Sequence, residues 1–433
     1  MKKSLKIIFI ICLIIGVAAA GINLFAASQQ GRLESIAAQQ AARKQALAQI
    51  AAADILGIDP DTVVVPDEVS VSGMDTLIMK LQKSSAMLWV VAIDMLIIGV
   101  GGFAYSAWKK ARKARGSVKK LGSNGSVLGI LIALAALCLD LTIASPVFLT
   151  VSNFLNVFQQ ISINFVVAVG MTFVIISGGI DLSVGSNIAL SGLLMGILMK
   201  NYGVPVPVTI LGCILFSGLI GLVNGALISF LDLPPFIATL GMMSIVRGAA
   251  YTVTAGQPIY TFPQGFTAVA SRVGGFPLYT MLILLAVFLL GWYILRYTRM
   301  GRFTYAIGGN ENCAKLSGIN LKKVKCFVYV VSGLCCGVAA LLLSSRLDSA
   351  VPTNADGQEM DAIAAVVIGG TSMSGGEGSM IGTLIGILII GIIANGLNLL
   401  GVAQGPQKMV KGLIIVIAVI IDVIRRRASQ SAK

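Results

Sequence analysis

Twelve stretches of this 433-residue chain are long and apolar enough to cross a lipid bilayer. A transmembrane α-helix needs about 20 mostly apolar residues, because the hydrocarbon core is about 30 Å thick and offers no water to an open backbone. The composition agrees: only 12% of residues are charged, against about 25% in soluble domains. The predicted fold class is an all-α polytopic membrane protein with about ten core transmembrane helices and two extra N-terminal helices.

The predicted spans are distributed along the whole chain. The tenth is short and rich in Gly and Ser, which leaves a re-entrant segment as an alternative to a full crossing. The twelve stretches are Leu5–Ala26, Ala86–Ala107, Val127–Ala144, Ser162–Gly178, Ser183–Met199, Pro207–Phe230, Phe236–Thr254, Tyr279–Leu295, Cys326–Leu343, Ala362–Ser374, Ile381–Leu400 and Met409–Ile424.

The distribution of Lys and Arg predicts the orientation of these spans. Basic residues concentrate in segments 2–6, 109–120, 296–325 and 425–433, whereas segments 29–85 and 346–361 lean acidic. Cytoplasmic loops carry the excess of basic residues, so both termini are expected in the cytoplasm of a bacterial plasma (inner) membrane. Topology thereby explains the net charge of +14, and no nucleic-acid partner is expected.

A basic, Gly- and Ser-containing stretch, Lys109–Ser126, divides the chain. Residues 1–125 are predicted to form an N-terminal extension, with two transmembrane helices flanking an external segment at about 28–85. The first span is interpreted as a retained anchor, with a cleaved signal peptide as the alternative. Residues 126–433 are predicted to form the main membrane domain.

The residue types present exclude several chemistries. The chain has no histidine, and its seven cysteines form no CxxC pair, so neither a metal site nor catalytic residues are expected. No GxxxxGK[ST] segment occurs, so any ATP and Mg²⁺ would be bound by another polypeptide, and no cofactor is expected in this chain.

Two glycine-rich segments resemble each other and suggest an internal duplication. Each contains an apolar run, a Gly-Gly pair, a short turn and a second apolar run. The two segments are VIISGGIDLSVGSNIALSGLLMGIL (Val174–Leu198) and VVIGGTSMSGGEGSMIGTLIGILII (Val366–Ile390). Such repeats are common in transporters, with half-helices near a central pathway. Two unrelated packing hairpins are the alternative.

Polar residues within the spans are the candidates for a translocation pathway. A mid-span Arg is costly and by default faces a cavity or an acid, while uncharged amides suit a neutral polyhydroxylated solute. Each candidate also has a structural alternative. Asp181 and Ser183 could cap the following helix, Arg247 could snorkel to the outer membrane interface, and the Asn side chains could form interhelical hydrogen bonds. The candidates are Asn164, Asp181, Ser183, Asn187, Arg247, Asn395 and Asn398.

Six separated stretches, in order, resemble the ribose-type sugar permease family of bacterial ABC importers. The resemblance covers about Ser126 to Arg427, some 70% of the chain. The stretches are NFVVAVGMTFVIISGGIDLSVGSNIALSG (Asn164–Gly192), GLVNGALISF (Gly221–Phe230), PPFIATLGMMSIVRG (Pro234–Gly248), GRFTYAIGGNENCAKLSGIN (Gly301–Asn320), DAIAAVVIGGTSMSGGEGSMIGTLIGILIIGIIANGLNLLGV (Asp361–Val402) and QKMVKGLIIVIAVIIDV (Gln407–Val423).

The resemblance implies a transport complex. Two permease copies, identical or paired, would form the pore in membrane lipid, two ABC ATPase subunits would dock beneath, and an extracytoplasmic sugar-binding protein would deliver a monosaccharide of the ribose, galactose or xylose class. The cytoplasmic loop at about 296–325 would be the coupling segment. Its matching residues are Arg302, Gly308, Asn310, Ala314 and Gly318.

The expected mechanism is alternating access powered by ATP on the partner subunits, so this chain is not expected to be an enzyme. A related ABC permease for nucleosides or branched-chain amino acids would share the architecture. An ion-coupled secondary transporter would need an intramembrane acid, for which Asp94 and Asp181 are the candidates. A membrane scaffold that presents the external segment is a third alternative.

Overall fold

A computed structural model describes residues 38–45, 134–135 and 137–430. Residues 38–45 are helical and belong to the predicted external segment, while the first two predicted spans lie outside the described residues. The third predicted span is described in part, with helix over residues 137–144. The chain divides into two compact units, and the described residues of the larger are 134–135, 137–139, 146–396 and 404–430.

The larger unit is almost entirely helical, as the sequence predicts. Its only regular extended structure within the described residues is one short antiparallel pair, β1 with β2. The elements are α1 Val151–Ile176, α2 Val184–Lys200, α3 Val206–Phe230, α4 Pro235–Thr254, β1 Ile259–Tyr260, α5 Gln264–Thr267 with a 3₁₀ turn at Ala268–Ala270, α6 Leu278–Tyr297, α7 Arg299–Gly309, α8 Glu311–Leu316, α9 Leu321–Leu347, β2 Ser349–Ala350, α10 Gln358–Ile368, α11 Met380–Leu399 and α12 Gln404–Gln430.

Six of the described helices are long and apolar enough to cross a membrane: α1, α3, α4, α6, α9 and α11. The first of them begins earlier than predicted, at Val151 instead of Ser162, because the Thr150 hydroxyl caps it by accepting a hydrogen bond from the Asn153 N–H. Helix α2 is a shorter apolar helix of 17 residues. Helix α10 has 11 residues and rises about 16 Å, too little to cross the hydrocarbon core.

Burial separates central helices from peripheral ones. Helices α1 and α2 are buried along most of their length, and α9 and α11 are largely buried. Most of the apolar surface of α3, α4 and α6 is exposed, with large side chains such as Leu219, Ile245 and Leu289 pointing away from the protein. An apolar exterior around a packed interior is what a bilayer solvent favours.

Glycines bring α3 and α9 into backbone contact. Gly221 of α3 lies against the carbonyl of Tyr329, and Gly333 of α9 lies against the carbonyl of Ser217. A Cβ atom at either glycine would overlap these backbone atoms. Small residues allow such close approach, which is the main source of packing energy between membrane helices.

Replacing Gly221 by Ala should therefore destabilise the protein by about 1–3 kcal/mol, because the new methyl group meets backbone that no rotamer change can move away. The matched control is Gly212→Ala in the same helix, where no atom lies within 4 Å of the new Cβ. Both variants can be heated in detergent and assayed for folded protein by size exclusion. Equal thermal stability of the two would contradict the close-packing account.

The segments between helices meet in two groups at opposite ends of the helices. In one group β1 pairs with β2, and the Phe262 N–H donates to the Asp348 carboxylate at 2.7 Å. In the other, the Gly376 N–H donates to the Ile176 carbonyl at 2.8 Å. The charge pattern predicts an external location for the first group and a cytoplasmic location for the second, so the contacts agree with the predicted alternation of spans.

Candidate functional site

Asp181 lies in a buried polar cluster in the turn between α1 and α2. One carboxylate oxygen accepts hydrogen bonds from the backbone N–H and the hydroxyl of Ser183, at 3.0 and 2.6 Å. The other accepts from the Ser332 hydroxyl of α9 at 2.8 Å. Both oxygens are thus satisfied inside the protein, as a buried carboxylate requires. The hydrogen bond between Asp181 and Ser332 connects the glycine-rich turn to the middle of α9. The sequence did not indicate this contact.

Amide side chains extend this cluster along α2 and α3. The Asn224 amide donates to the Ser183 hydroxyl at 2.8 Å, and the Asn187 amide donates to the Ser217 carbonyl at 3.1 Å. The Ser217 hydroxyl donates back to the Asn187 amide oxygen at 2.8 Å. Asp181 and Ser183 share one hydrogen-bonded group, and Asn187 lies one turn further along α2. They are engaged in interhelical hydrogen bonds, and their role in a pathway stays a prediction.

The two glycine-rich segments form turns of the same kind. After α1, the Gly178 N–H donates to the Ile175 carbonyl, and Gly178 has φ of +84°. After α10, the Gly370 N–H donates to the Val367 carbonyl, and Gly370 has φ of +90°. This left-handed conformation is one that glycine adopts without steric cost. Both Gly-Gly pairs thus end a helix in the same way, and the internal duplication stays a prediction.

Helix α7 touches both glycine-rich segments, at the end of α1 and at residues 376–378, in the loop after the second turn. Gly308 lies against the Ile176 carbonyl and the Gly376 N–H, so closely that a Cβ atom would overlap both. The Tyr305 hydroxyl donates to the Gly378 carbonyl at 2.9 Å. Burial raises the pKa of Tyr305, which keeps this hydroxyl protonated as a donor. The predicted coupling loop is thus in direct contact with the end of α1 and with the loop between α10 and α11. Sequence reasoning missed the contact made by Tyr305.

The remaining coupling residues shape the loop. The Asn310 side chain caps α8 by accepting from the Cys313 N–H at 2.9 Å, and Gly318 ends the same helix with φ of +79°. Ala314 is buried in a small apolar cluster with Ile307 and Val324. Arg302 is exposed on α7. The loop therefore presents an ordered surface with an exposed cation, and the coupling role of these residues stays a prediction.

Arg247 donates its hydrogen bonds to the backbone. One guanidinium nitrogen donates to the carbonyls of Pro352 and Asn354, at 2.5 and 2.9 Å. These carbonyls belong to residues 351–357, the irregular segment between β2 and α10. Arg247 thus fixes the entry to α10, and this segment was not among the predicted pathway residues.

Asn164 belongs to a second polar group that joins α1, α10 and α12. The Lys411 ammonium group and the Asp361 carboxylate are 2.7 Å apart, and the Asn164 amide donates to the same carboxylate oxygen at 3.4 Å. The Asn164 amide oxygen is buried without a hydrogen-bond partner. Lys411 lies inside the twelfth predicted span, and an intramembrane cation of this kind is the sequence signal that indicates such a partner.

Substituting Lys411 by Met should destabilise the protein, because Asp361 would stay buried without its cation. Breaking a fully buried pair costs about 3–5 kcal/mol, and the 30% exposure of the Lys411 side chain favours a smaller loss of about 2–3 kcal/mol. The double variant Lys411→Met with Asp361→Asn should recover much of this loss. Thermal denaturation of the parent, the two single variants and the double variant measures the loss and its recovery. If the destabilisations of the two single variants simply add in the double variant, the ion pair is refuted.

Asn395 of α11 is paired with Asn153 of α1. The two amides exchange hydrogen bonds at 2.9 and 3.1 Å, so Asn395 fixes α11 against α1. Asn398 follows on α11 and is exposed.

The predicted pathway residues thus occupy separate groups, around Asp181, Asp361, Asn153 and residues 351–357. Among residues 38–45, 134–135 and 137–430, no group of three or more acidic or Cys side chains is placed to hold a metal ion.

Comparison with known proteins identifies the family. Residues 153–419 match the family described as branched-chain amino acid transport system / permease component. The ribose import permease protein RbsC of Escherichia coli K12 is 44% identical over 302 residues, covering 67% of this chain and 92% of its own length. RbsC of Bacillus subtilis 168 is 46% identical over 298 residues, with 68% and 92% covered. The D-allose transport system permease protein AlsC of Escherichia coli K12 is 37% identical over 297 residues, with 68% and 89% covered.

No solved structure matches the chain. The family match covers more than half of the sequence, and the relatives are aligned over most of their own length. The chain therefore belongs to the ribose-type sugar permease family of ABC transporters.

Proposed function

We propose that this chain is the membrane subunit of an ATP-driven importer that moves a monosaccharide of the ribose, galactose or xylose class into the cytoplasm. The relatives named for ribose import and D-allose transport support the substrate class. The contact of α7 with both glycine-rich segments carries the proposal, because a force applied to the cytoplasmic loop would reach α1 and α11 directly.

The mechanism is alternating access. ATP closes a pair of partner ATPase subunits, α7 passes the movement to the two glycine-rich segments, and the permease opens to the other side. Nucleotide must favour one conformation over the other, because only a difference in affinity shifts such an equilibrium. Arg302 on the exposed surface of α7 and the capped helix α8 would contact the ATPase.

The complex needs further components. A second permease copy would complete the pore, an extracytoplasmic sugar-binding protein would deliver the sugar, and ATP with Mg²⁺ would stay on the ATPase. The chain itself would need no cofactor. The charge pattern favours both termini in the cytoplasm of a bacterial inner membrane, with segment 296–325 on the same side.

Uptake in the native host tests the proposal. Cells with and without this permease would be assayed with labelled ribose, allose, galactose and xylose, and with leucine and adenosine as probes of the related permease classes. We expect permease-dependent uptake of at least one monosaccharide that stops on ATP depletion and survives a protonophore when ATP is maintained. Uptake of leucine or adenosine alone, or uptake that follows the proton gradient, would overturn the proposal.

A further inference from the structure

The tenth crossing is only half helical. Residues 351–375 connect β2, at one end of the protein, with the turn that touches α7 at the other. Of these, α10 supplies 11 helical residues, about 16 Å of a hydrocarbon core of about 30 Å. Residues 351–357 are irregular, with φ of +59° at Ala355 and +84° at Gly357. This stretch, which we call the recessed segment, makes up the rest of the crossing.

Two neighbouring helices give the depth of the recessed segment. Ala350 lies beside Gly192 of α2, and the Ala355 carbonyl lies beside Gly185, seven residues and about 10 Å further along that helix. Arg247 of α4 holds the segment through the Pro352 carbonyl. The 20 residues of α4 match the thickness of the hydrocarbon core, and Arg247 lies seven residues before the last of them. Its side chain tilts toward the helix N-terminus, away from that end. The segment thus descends about 10 Å into the membrane.

The recessed segment is polar and partly exposed at this depth. Thr353 and Asp356 are exposed, and Asp356 pairs with Lys408 at 3.3 Å while both side chains stay about 70% exposed. The Glu359 carboxylate, just after the segment, reaches Gly185 of α2. Exposed charges are costly against lipid, and irregular backbone at membrane depth occurs only within protein or beside a water-filled cavity. Water on this face accounts for both features.

We propose that the recessed segment and Glu359 line the outer half of the sugar pathway, with Arg247 as the positioning residue that holds them there. The inference rests on the proposed sugar transport. The carboxylates of Asp356 and Glu359 accept hydrogen bonds from sugar hydroxyl groups, and Thr353 offers both a donor and an acceptor. Arg247 acts through the carbonyls of Pro352 and Asn354 and does not itself contact the sugar.

Thiol labelling of Thr353→Cys tests the water-lined surface. The variant, in the full complex in membranes, would be treated with a charged, membrane-impermeant methanethiosulfonate, and the unsubstituted protein gives the background of native cysteines. The matched control is Ile245→Cys, on the lipid-facing side of α4 at similar depth. Only a hydrated thiol ionises and reacts, so we expect Cys at 353 to react at least about tenfold faster than Cys at 245.

Labelling at position 353 should also block the pathway, so we expect sugar uptake to fall at least about tenfold after modification. Reaction no faster than at position 245, or a labelled complex that imports sugar at the unlabelled rate, would overturn the inference. If the unsubstituted complex imports no sugar, the proposed function fails, while the labelling rate still reports whether water reaches the segment.

The positioning role of Arg247 has a separate readout. In the Thr353→Cys background, Arg247→Gln should change the labelling rate at least several-fold and lower uptake, because a shorter, uncharged amide replaces the guanidinium that holds the carbonyls of Pro352 and Asn354. Arg247→Lys, which keeps one cation and its donors, should restore part of both. Unchanged labelling and uptake in Arg247→Gln would remove Arg247 from the proposal.

Discussion

Substituting Gly308 by Ala should reduce sugar uptake by at least about tenfold while the protein still inserts into the membrane. The new methyl group would overlap the Ile176 carbonyl and the Gly376 N–H, which are themselves joined by a hydrogen bond of 2.8 Å. Neither is a flexible side chain, so α7 must move away from both glycine-rich segments. Uptake and ATP hydrolysis of the assembled complex measure the loss, and hydrolysis that persists without uptake would be the signature of broken coupling.

Gly309→Ala is the matched control, because no atom lies within 4 Å of a Cβ at that neighbouring position. It should transport at nearly the parent rate. Tyr305→Phe provides a second test without added volume, since it removes only the hydrogen bond to the Gly378 carbonyl and should lower uptake partially. Parent-like uptake in both Gly308→Ala and Tyr305→Phe would refute a coupling route through α7.

Asp181→Ala should abolish stable expression, whereas Asp181→Asn should retain folded protein and ATP-driven uptake. The Ala variant leaves the hydroxyls of Ser183 and Ser332 buried without their acceptor, and each such group costs about 1–3 kcal/mol. The Asn side chain keeps one acceptor oxygen for Ser183, and its amide can donate to Ser332. Detergent-solubilised yield and uptake would be measured together for the two variants.

The same pair of variants separates ATP-driven from ion-coupled transport. A secondary transporter that uses Asp181 as its coupling acid would need an ionisable group there, so Asp181→Asn would fold and yet lose uptake. That result would contradict the proposed ABC mechanism. Retained uptake in Asp181→Asn would leave Asp181 with a structural role, as its three hydrogen bonds indicate.

The sequence predicted the glycine-rich turns better than it predicted the polar site. The Gly-Gly pairs at 178–179 and 369–370 mark backbone that must bend, and the structure bends there. Asp181 was recognisable as an acid beside such a turn, but its partner Ser332 lies 151 residues away. The coupling loop was recognised through family resemblance, whereas its contact with Ile176 and Gly376 was not.

Local chemistry explains why the fold class followed from the sequence alone. Transfer of a segment into a bilayer depends on its own length and apolar content, and both can be counted residue by residue. The same holds for the excess of Lys and Arg on the predicted cytoplasmic segments. These properties predicted an all-α membrane protein and the alternation of its spans without any knowledge of neighbouring helices.

Only the tertiary structure decided which polar residues meet and what the tenth span is. Asn164, Asp361 and Lys411 come from three distant parts of the chain, and a hydrogen bond depends on distances of about 3 Å that spacing in sequence does not determine. The recessed segment depends likewise on Arg247 and Gly185, whose contacts allow irregular backbone where an isolated chain would have to be helical. The sequence determined that this chain enters the membrane, and packing between helices decided where its interior is polar.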